Sequence, residues 1–304
     1  MFSDIFTLID FLKYQKKIKR VFFFESSFIE NHLAPYVDKN KNIDETIIIS
    51  LYKTQNNNLK KFKIFQVNKL FFLNLFFLLL KTKYCYSSTP DIDHSAFQRS
   101  VFKKTKYIYI QHSPVGLIKI FRDNALTNFD VVQVVNTFQK NDLINISKRK
   151  NKKIKAWQGK YLFLGDENNE KFSFNINKQE RKKILIAPTW GTDFFNLNIH
   201  LTIKKNLNPS EYDIFIRPHN MSVLNNKNLI SDLIKNNFQI SKGKINFNQY
   251  DLLITDWSGL YIEFAKINRI KSILIETKDK ILNDKFYEYK DDFIQIFDNF
   301  LQLL

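Results

Sequence analysis

Short apolar runs alternate with longer helical stretches along most of the chain, and this alternation limits the possible folds more than any other feature of the sequence. The apolar runs that we predict to be strands are Val21–Phe24, Thr46–Ser50, Phe62–Val67, Tyr84–Tyr86, Tyr107–Gln111, Val131–Val134, Ile184–Ala187, Ile214–Arg217, Leu252–Thr255 and Ser272–Ile275. Helices are predicted between most of these strands, for example at Leu70–Lys81, Thr137–Ile146, Ser222–Lys235 and Ser258–Lys266. Strands that alternate with helices are typical of parallel sheets built from βαβ units. The predicted fold class is therefore α/β.

The alternation is interrupted by the basic stretch Lys148–Lys155 and by the polar segment Asp166–Lys183. A chain of 304 residues is long enough for two domains of about 150 residues each. We therefore predict an N-terminal domain of residues 1–150 and a C-terminal domain of residues 151–304, each with its own parallel sheet.

The net charge of +17 at pH 7 favours partners that carry negative charge, such as nucleic acid, an anionic membrane surface or an anionic substrate. Lys, Asn, Ile and Phe are abundant throughout, as expected of an AT-rich genome, so part of this charge reflects compositional bias. The single cysteine, Cys85, excludes an intrachain disulfide framework and fits a reducing cytoplasm. No cleavable signal peptide is expected, because acidic residues occur early and no basic region precedes the first apolar residues.

Two segments bear on membrane contact. Phe71–Leu80 is apolar almost throughout but shorter than the roughly 20 residues that span a bilayer. We predict a core helix there, with a membrane-surface role as the alternative. The first helix places several apolar residues near one face and is followed by a basic cluster. This pattern fits an interfacial anchor as well as an ordinary amphipathic helix, so peripheral membrane contact stays open.

Four predicted strands end in polar residues that are able to bind an anion or move a proton. Ligands of open parallel sheets lie beyond the carboxyl ends of the strands, so four such endings point to one cleft. In the first ending His112 and Ser113 follow a strand, and a histidine can take a proton from a hydroxyl near neutral pH. In the second, Thr189, Trp190 and Gly191 suit a nucleotide or its phosphates. The structural alternatives are a backbone contact of His112 and a packed turn with Trp190 in the core.

The third ending has Arg217 and His219 on either side of a proline, and a cation beside an imidazole suits a pyrophosphate. A surface turn with Arg217 in an ion pair is the alternative. The fourth ending, Asp251–Ala265, runs from an apolar strand through a polar turn into a helix, where N–H groups and the helix dipole favour a phosphate. Glu263 lies about two helical turns after Asp256 and is placed to bind ribose hydroxyls. Alternatively, Glu263 belongs to a partly solvated helix face and Asp256 is a helix cap.

The sequence contains no GxGxxG, P-loop, CxxC pair or HExxH motif. His32, His94 and His200 are scattered without the spacing of metal ligands, so we interpret them as structural or surface residues. We therefore predict that the protein uses no metal and no cofactor.

Taken together and in this order, the four segments resemble the CDP-glycerol glycerophosphotransferase family, whose members polymerise or prime teichoic-acid-like polymers. Ala187–Trp190 matches the APTW strand ending of the family, and Arg217–His219 matches its K/R-P-H element. Thr255–Gly259 with Glu263 matches its TD-aromatic-S-S/G stretch and downstream acid. His112–Pro114 matches the strand-terminal histidine and small residues of its N-terminal domain. Before these segments the resemblance is only architectural.

The resemblance implies a GT-B fold, with two Rossmann-like domains whose parallel sheets face each other across a cleft. It also implies transfer of a polyol phosphate, glycerol phosphate first of all, from a CDP-activated donor to a hydroxyl of a cell-surface polymer or glycan, with release of CMP. The implied catalytic residues are His112, as general base for the acceptor hydroxyl, and His219. The implied substrate-binding residues are Ser113, Thr189, Trp190, Arg217, Thr255, Asp256, Ser258, Gly259 and Glu263.

Three departures from the family pattern concern the polyol and the acceptor more than the phosphate chemistry. The HGTP-like sequence of the family is here His112–Val115, a basic residue after APTW is replaced by Gly191, and the usual aspartate is Glu263.

A GT-B glycosyltransferase that uses a nucleotide sugar in capsule or lipopolysaccharide biosynthesis is the alternative enzyme, since the same phosphate site and histidine would serve it. A basic nucleic-acid-binding protein is the non-enzymatic alternative, but charge does not explain four polar strand endings, so we expect no nucleic-acid partner. The expected partners are a CDP-polyol donor and a polymer, glycan or lipid-linked acceptor. The expected location is the cytoplasm, with peripheral contact to the anionic inner face of the cell membrane left open.

Overall fold

The chain forms two compact α/β units, Met1–Asn169 and Glu170–Leu304. The computed structural model describes residues 2–39, 42–54, 56–93, 97–113, 115–122, 124–135, 137–159, 181–243, 245–256, 258–268, 272–275, 277 and 294–296. Each unit contains a sheet in which every pair of neighbouring strands is parallel. The predicted α/β class is therefore confirmed, and each unit is Rossmann-like in its strand order.

The first unit has a seven-stranded sheet in the order β3-β2-β1-β4-β5-β6-β7. Its strands are Arg20–Phe24 (β1), Thr46–Ser50 (β2), Lys63–Gln66 (β3), Tyr84–Ser87 (β4), Lys106–Tyr109 (β5), Val131–Val134 (β6) and Lys155–Gln158 (β7). Its α-helices are Phe2–Tyr14 (α1), Ser27–Asp38 (α2), Leu70–Leu78 (α3), Leu117–Ile120 (α4) and Thr137–Arg149 (α5).

Both faces of the first sheet are buried, which explains why its central strands are almost continuously apolar. Phe23 of β1 packs in the same cluster as Phe11 of α1 and Phe76 of α3. Its neighbours Phe22 and Phe24 belong to a second cluster that contains apolar residues of α2. Successive strand residues point to opposite faces, so one Phe-rich strand supplies both layers of the core.

The second unit has a six-stranded sheet in the order β10-β9-β8-β11-β12-β13. Its strands are Lys182–Ile186 (β8), Tyr212–Ile216 (β9), Gln239–Ile240 (β10), Leu252–Thr255 (β11), Ser272–Leu274 (β12) and Ile294–Ile296 (β13). Its α-helices are Ile199–Asn206 (α6), Asn220–Asn225 (α7), Leu229–Lys235 (α8) and Leu260–Asn268 (α9). Separate apolar clusters cover its two faces, so the unit has a core of its own.

Strand β11 is fastened to β8 at its amino end by Asp251. The Asp251 carboxylate accepts a hydrogen bond from the Lys183 N–H at 2.7 Å, and the Asp251 N–H donates to the Lys183 carbonyl at 2.8 Å. Leu252 of β11 then pairs with Ile184 of β8, which sets the register of the two strands.

The structure differs from the sequence prediction in several elements, and the short strands β10 and β13 were not predicted. The predicted helix Ser222–Lys235 is two helices, α7 and α8, because Asn-rich sequence between them forms a turn. Helix α6 was missed. So was β7, which is polar and lies at the edge of the sheet. Since β7 begins at Lys155, the first sheet extends beyond residue 150, where the sequence placed the domain boundary.

Among the described residues, no helix combines the length and the apolar character that crossing a membrane requires. Helices α1 and α3 nevertheless expose large apolar side chains, including Phe6 (69% exposed) and Phe71 (67% exposed). The starts of these two helices are held together by Asp4, whose carboxylate accepts hydrogen bonds from the backbone and side-chain N–H groups of Asn68.

Candidate functional site

Three of the four polar strand endings lie at one edge of the second sheet. Strands β9, β8 and β11 are neighbours and run parallel. The segments that follow them, Arg217–His219, Thr189–Gly191 and Thr255–Gly259, therefore emerge on the same side. The prediction that the carboxyl ends of these strands group their polar residues is confirmed for this unit.

Asp256 joins the ends of β8 and β11. It is fully buried, and its carboxylate accepts a hydrogen bond from the Thr189 N–H at 2.6 Å and another from the Thr192 hydroxyl at 2.9 Å. Bonds to a charged acceptor are stronger than neutral ones, so they hold the loop after β8 in a defined shape. In this structure Asp256 therefore organises the loop that contains Thr189; direct contact with a substrate stays a prediction.

The turn after β11 leads directly into helix α9. The buried Thr255 hydroxyl donates to the Ala187 carbonyl at 2.7 Å, which again links β11 to β8. The Ser258 N–H donates to the Asp256 carbonyl at 2.9 Å, and the Ser258 hydroxyl oxygen accepts from the Leu260 N–H at 3.4 Å. Ser258 and Gly259 thus stand at the N-terminus of α9, where the helix dipole attracts an anion.

His219 caps helix α7 with its ring. Nδ1 accepts a hydrogen bond from the Met221 N–H at 3.1 Å. A neutral imidazole that accepts at Nδ1 carries its proton on Nε2, so the outer nitrogen is a hydrogen-bond donor. The ring centroid of Trp190 lies 6.3 Å from that of His219, so the endings of β8 and β9 meet here. A ring N–H in this position suits a phosphate oxygen.

Arg217 links the end of β9 to the loop after β10. Its Nη2 donates to the Gly243 carbonyl at 2.7 Å and its Nη1 to the Ser241 carbonyl at 3.5 Å. Burial lowers the pKa of the guanidinium below its ordinary value. Gly243 has a φ of 73°, a conformation that glycine adopts without strain. Arg217 therefore shapes this loop, and its predicted contact with a pyrophosphate stays a prediction.

The remaining predicted residues of the second unit differ in exposure. Trp190 is partly exposed, and Gly191 is exposed with a φ of 78°, which favours glycine at this turn. Glu263 in α9 is only 4% exposed. The alternative interpretation of Glu263, a partly solvated helix face, is therefore wrong, while its predicted contact with ribose stays a prediction.

In the first unit His112 follows β5 and is half-buried. The Tyr109 hydroxyl lies 2.6 Å from its Nδ1. Burial lowers the pKa of His112 to about 4, and a hydrogen bond to the backbone of Ser88 opposes that effect only in part. The ring centroid of His32, from α2, lies 6.2 Å from that of His112. Burial, followed by the charge that His112 would carry, lowers the pKa of His32 to about 3. Both rings are therefore neutral at pH 7.

Helix α5 fixes the loop that begins with His112. Gln139 donates from Nε2 to the carbonyls of Ser113 and Val115, both at 2.9 Å, and is fully buried. One turn later the buried Asp142 carboxylate accepts from the Ile118 N–H at 3.2 Å, at the start of α4. The side chains three positions apart on α5 thus hold both ends of this loop.

Sequence reasoning missed several residues that shape these loops, namely Tyr109, Gln139, Asp142 and Thr192, and it interpreted His32 only as a structural or surface residue. Thr192 follows the predicted Thr189–Gly191 segment and was detectable as a further hydroxyl. The others reach these loops from distant positions in the chain or, as Tyr109 does, through the conformation of the loop, so the sequence around each of them contains no motif that would predict the contact. Pro114, Trp257 and His94, which were considered from the sequence, lie outside the described residues. No group of three or more His, Cys, Asp or Glu side chains placed to bind a metal occurs in the described part of the chain.

Two α/β units, each with a parallel sheet in Rossmann-like strand order, are typical of the GT-B class of fold. A structure of the wall teichoic acid polymerase TagF soaked with CDPG superposes with a TM-score of 0.55 at 13% identity, covering 86% of this chain and 71% of TagF. A second TagF structure superposes with a TM-score of 0.56 at 14% identity, covering 90% of this chain and 78% of the TagF chain. The complex of S. aureus MnaA with UDP gives 0.54 at 12% identity, covering 85% and 79%. The predicted GT-B-like fold is confirmed.

Residues 163–280 match the family described as CDP-Glycerol:Poly(glycerophosphate) glycerophosphotransferase. The resemblance predicted from the strand endings is thus confirmed for this segment of the chain, which does not include His112. The match includes all three endings that meet at the edge of the second sheet. No curated protein shows significant similarity to the chain.

Proposed function

We propose that the protein transfers a polyol phosphate, glycerol phosphate first of all, from a CDP-activated donor to a hydroxyl of a cell-surface polymer or glycan. The observation that supports this most is the coincidence of family and geometry in the second unit. The segments matched by the family, around Thr189, His219 and Ser258, are the ones that parallel strands bring to one sheet edge. The start of helix α9 and the ring of His219 at this edge suit the pyrophosphate of the donor.

In the proposed reaction an oxygen of the acceptor attacks the phosphorus that bears the polyol. The bond from that phosphorus to the bridging oxygen breaks, CMP leaves with the electron pair, and the proton of the acceptor hydroxyl passes to water or to the leaving phosphate of CMP. Negative charge moves onto the bridging oxygen as CMP leaves, so positioning and hydrogen bonding to the phosphates supply most of the catalysis.

Each predicted residue has a role in this proposal. His219 donates from Nε2 to a phosphate oxygen, and Ser258 and Gly259 bring the positive end of the α9 dipole to the phosphates. Thr189 and Trp190 border the donor, while Asp256, Thr255 and Arg217 hold the loops around it. Glu263 binds the ribose hydroxyls, which requires its side chain to become more exposed than the 4% in this structure. His112 and Ser113 act on the acceptor hydroxyl.

A nucleotide-sugar glycosyltransferase is the second candidate, since the fold is shared with a UDP-bound structure of S. aureus MnaA. Incubation of the purified protein with CDP-glycerol, another CDP-polyol and UDP-sugars in parallel, with glycerol-phosphate oligomers and glycans as acceptors, separates the two. Release of CMP from a CDP-polyol that depends on acceptor supports the proposal. Release of a nucleoside diphosphate from sugar donors alone contradicts it.

The acceptor that we propose is attached to a cell surface, so the enzyme would work beside a membrane. Exposed Phe6 and Ile9 on α1 and exposed Leu70 and Phe71 on α3 form an apolar face, and the exposed Lys13 and other lysines follow on the same segment. Apolar side chains next to lysines suit an anionic lipid surface. We therefore place peripheral contact with the cytoplasmic face of the membrane within the proposed function.

A further inference from the structure

Tyr109 is placed to control the ring of His112. Its side chain is fully buried in β5, and its ring packs at right angles against Phe121 and Phe129, with centroids 5.5 Å and 5.2 Å away. The hydroxyl lies 2.6 Å from Nδ1 of His112. A phenol packed in this way has no freedom to search for another orientation of its oxygen.

The contact can be made in two directions. Either the Tyr109 O–H donates to the lone pair of Nδ1, or an N–H on Nδ1 donates to the phenol oxygen. In the second arrangement the phenol hydrogen is left buried without an acceptor among the described residues, which is unfavourable. Burial also raises the pKa of Tyr109 well above 10, so the hydroxyl keeps its proton. The first arrangement satisfies both groups.

We propose that Tyr109 is a positioning residue that fixes His112 as the Nε2–H tautomer, so that His112 meets its substrate as a hydrogen-bond donor. A neutral imidazole has one N–H, and an acceptor at Nδ1 leaves it on Nε2. The hydrogen bond between the ring and the backbone of Ser88 also requires a ring N–H. A substrate oxygen that replaces the Ser88 carbonyl would receive the same N–H.

This assignment changes the role that the sequence suggested for His112. A general base needs a lone pair on the nitrogen that meets the hydroxyl, and in this tautomer that nitrogen is protonated. The low pKa of His112, about 4, also makes the ring a weak base. His32, the nearest ionisable ring on α2, is held neutral by burial and so contributes no charge. The catalytic consequence rests on the proposed function, whereas the tautomer does not.

The tautomer is measured directly by nitrogen NMR of the wild-type protein labelled with 15N-histidine. We expect the Nε2–H form of His112 to exceed the Nδ1–H form about tenfold or more, the ratio that one hydrogen bond provides. We also expect a slowly exchanging Tyr109 hydroxyl proton with a nuclear Overhauser effect to His112. A dominant Nδ1–H form overturns the proposal, and so does a nearly equal mixture.

The variant Tyr109→Phe tests whether the phenol is the cause. It removes one oxygen, and the excess of Nε2–H should fall at least several-fold. Tyr107→Phe is the matched control, because Tyr107 is buried two positions earlier on the same face of β5 and its oxygen accepts instead from the Ser100 N–H at 2.8 Å. An unchanged ratio in Tyr109→Phe, or equal shifts in both variants, contradicts the role of Tyr109. If Tyr109→Phe fails to fold, the wild-type spectrum still decides.

The catalytic consequence is tested by comparing His112→Gln with His112→Ala. Glutamine keeps an N–H donor but provides no base. If His112 acts as a donor, kcat should therefore fall only about tenfold in His112→Gln but about 100-fold or more in His112→Ala. Equal losses in the two variants would restore the base. Absence of any transfer in wild type refutes the proposed function and leaves the NMR result standing.

Discussion

The Asp256 carboxylate and the Thr189 N–H are 2.6 Å apart although the two residues lie at the ends of different strands. This bond makes the loop after β8 depend on the turn after β11. Both of these segments belong to the part of the chain that matches the glycerophosphotransferase family. The shape of the proposed donor site is therefore set by a side chain that is itself buried.

Replacing Asp256 by Ala should weaken donor binding. The Thr189 N–H and the Thr192 hydroxyl lose their acceptor, which costs about 1–3 kcal/mol for each group left unsatisfied, and the loop becomes less ordered. We expect the Kd for CDP, measured by calorimetry, to rise at least about tenfold, or 1.4 kcal/mol. Asp256→Asn should lose less, because its amide oxygen can still accept from Thr189.

Asp251→Ala is the matched control for this change. Asp251 makes the same kind of bond to a backbone N–H of β8, at 2.7 Å, but at the amino end of the strands. It should lower the free energy of unfolding without changing the Kd for CDP. Equal Kd values for the Asp256 and Asp251 variants would mean that Asp256 has no special role at the site.

Arg217→Lys should loosen the loop after β10. Lysine cannot reproduce the planar fork that reaches two carbonyls, so the bonds to Ser241 and Gly243 are not both replaced. We expect faster amide hydrogen exchange in residues 241–243 and a higher KM for the CDP donor. Arg181→Lys is the control, since Arg181 also donates to a carbonyl, that of Tyr212, at 2.8 Å but at the other end of β9. Slow exchange retained in the Arg217 variant would contradict this role.

Stability should fall in mild acid because of His112 and His32. Their pKa values in the folded protein are about 4 and about 3, against 6.5 when unfolded. Between pH 6.5 and about 4 these two histidines bind protons in the unfolded chain but not in the folded protein. The free energy of unfolding that they contribute above pH 6.5 is therefore lost as the pH falls. Each proton contributes a slope of up to about 1.4 kcal/mol per pH unit.

Urea unfolding at a series of pH values measures this slope. The double variant His32→Gln, His112→Gln should flatten the curve in that window, after correction for its lower stability at pH 7. An equally steep curve in the double variant would show that other groups cause the acid sensitivity.

Binding to anionic membranes should depend on the apolar face of α1 and α3. Phe6→Ser with Phe71→Ser removes two large side chains that are 69% and 67% exposed. We expect co-sedimentation with vesicles of phosphatidylglycerol and phosphatidylcholine to fall at least about tenfold, and wild-type binding to weaken as salt rises. Leu224→Ser is the control, because Leu224 is 70% exposed in the second unit. Equal binding by both variants would exclude this face.

The main strands could be predicted because both faces of each sheet are buried, which forces long apolar runs such as Thr46–Ser50, a strand in both prediction and structure. The edge strand β7 could not, since it is largely exposed and its sequence, KAWQ, has no such run. The split of the predicted helix Ser222–Lys235 into two was likewise hidden, because the apolar spacing continues across the turn.

Within the candidate site, the strand endings were predictable because topology alone brings the ends of neighbouring parallel strands together. The direction of each side chain was not. Asp256 and Arg217 were expected at a ligand, and in the structure they hold backbone groups of adjacent loops. Tyr109 and Gln139 influence the site from positions that look like ordinary core or helix residues, because their partners are distant or depend on the loop conformation.

Side chains at both ends of strand β11 form hydrogen bonds with residues in or next to β8. Asp251 does so at the amino end, and Thr255 and Asp256 do so at the carboxyl end. A shift of β11 by one residue against β8 would break all of these hydrogen bonds. It would also turn the apolar side chains of this four-residue strand to the wrong face of the sheet. The points from which the loops depart are therefore fixed independently of what the loops contain. Exposed loop residues such as Lys242 can therefore vary while the strands beneath them stay in register.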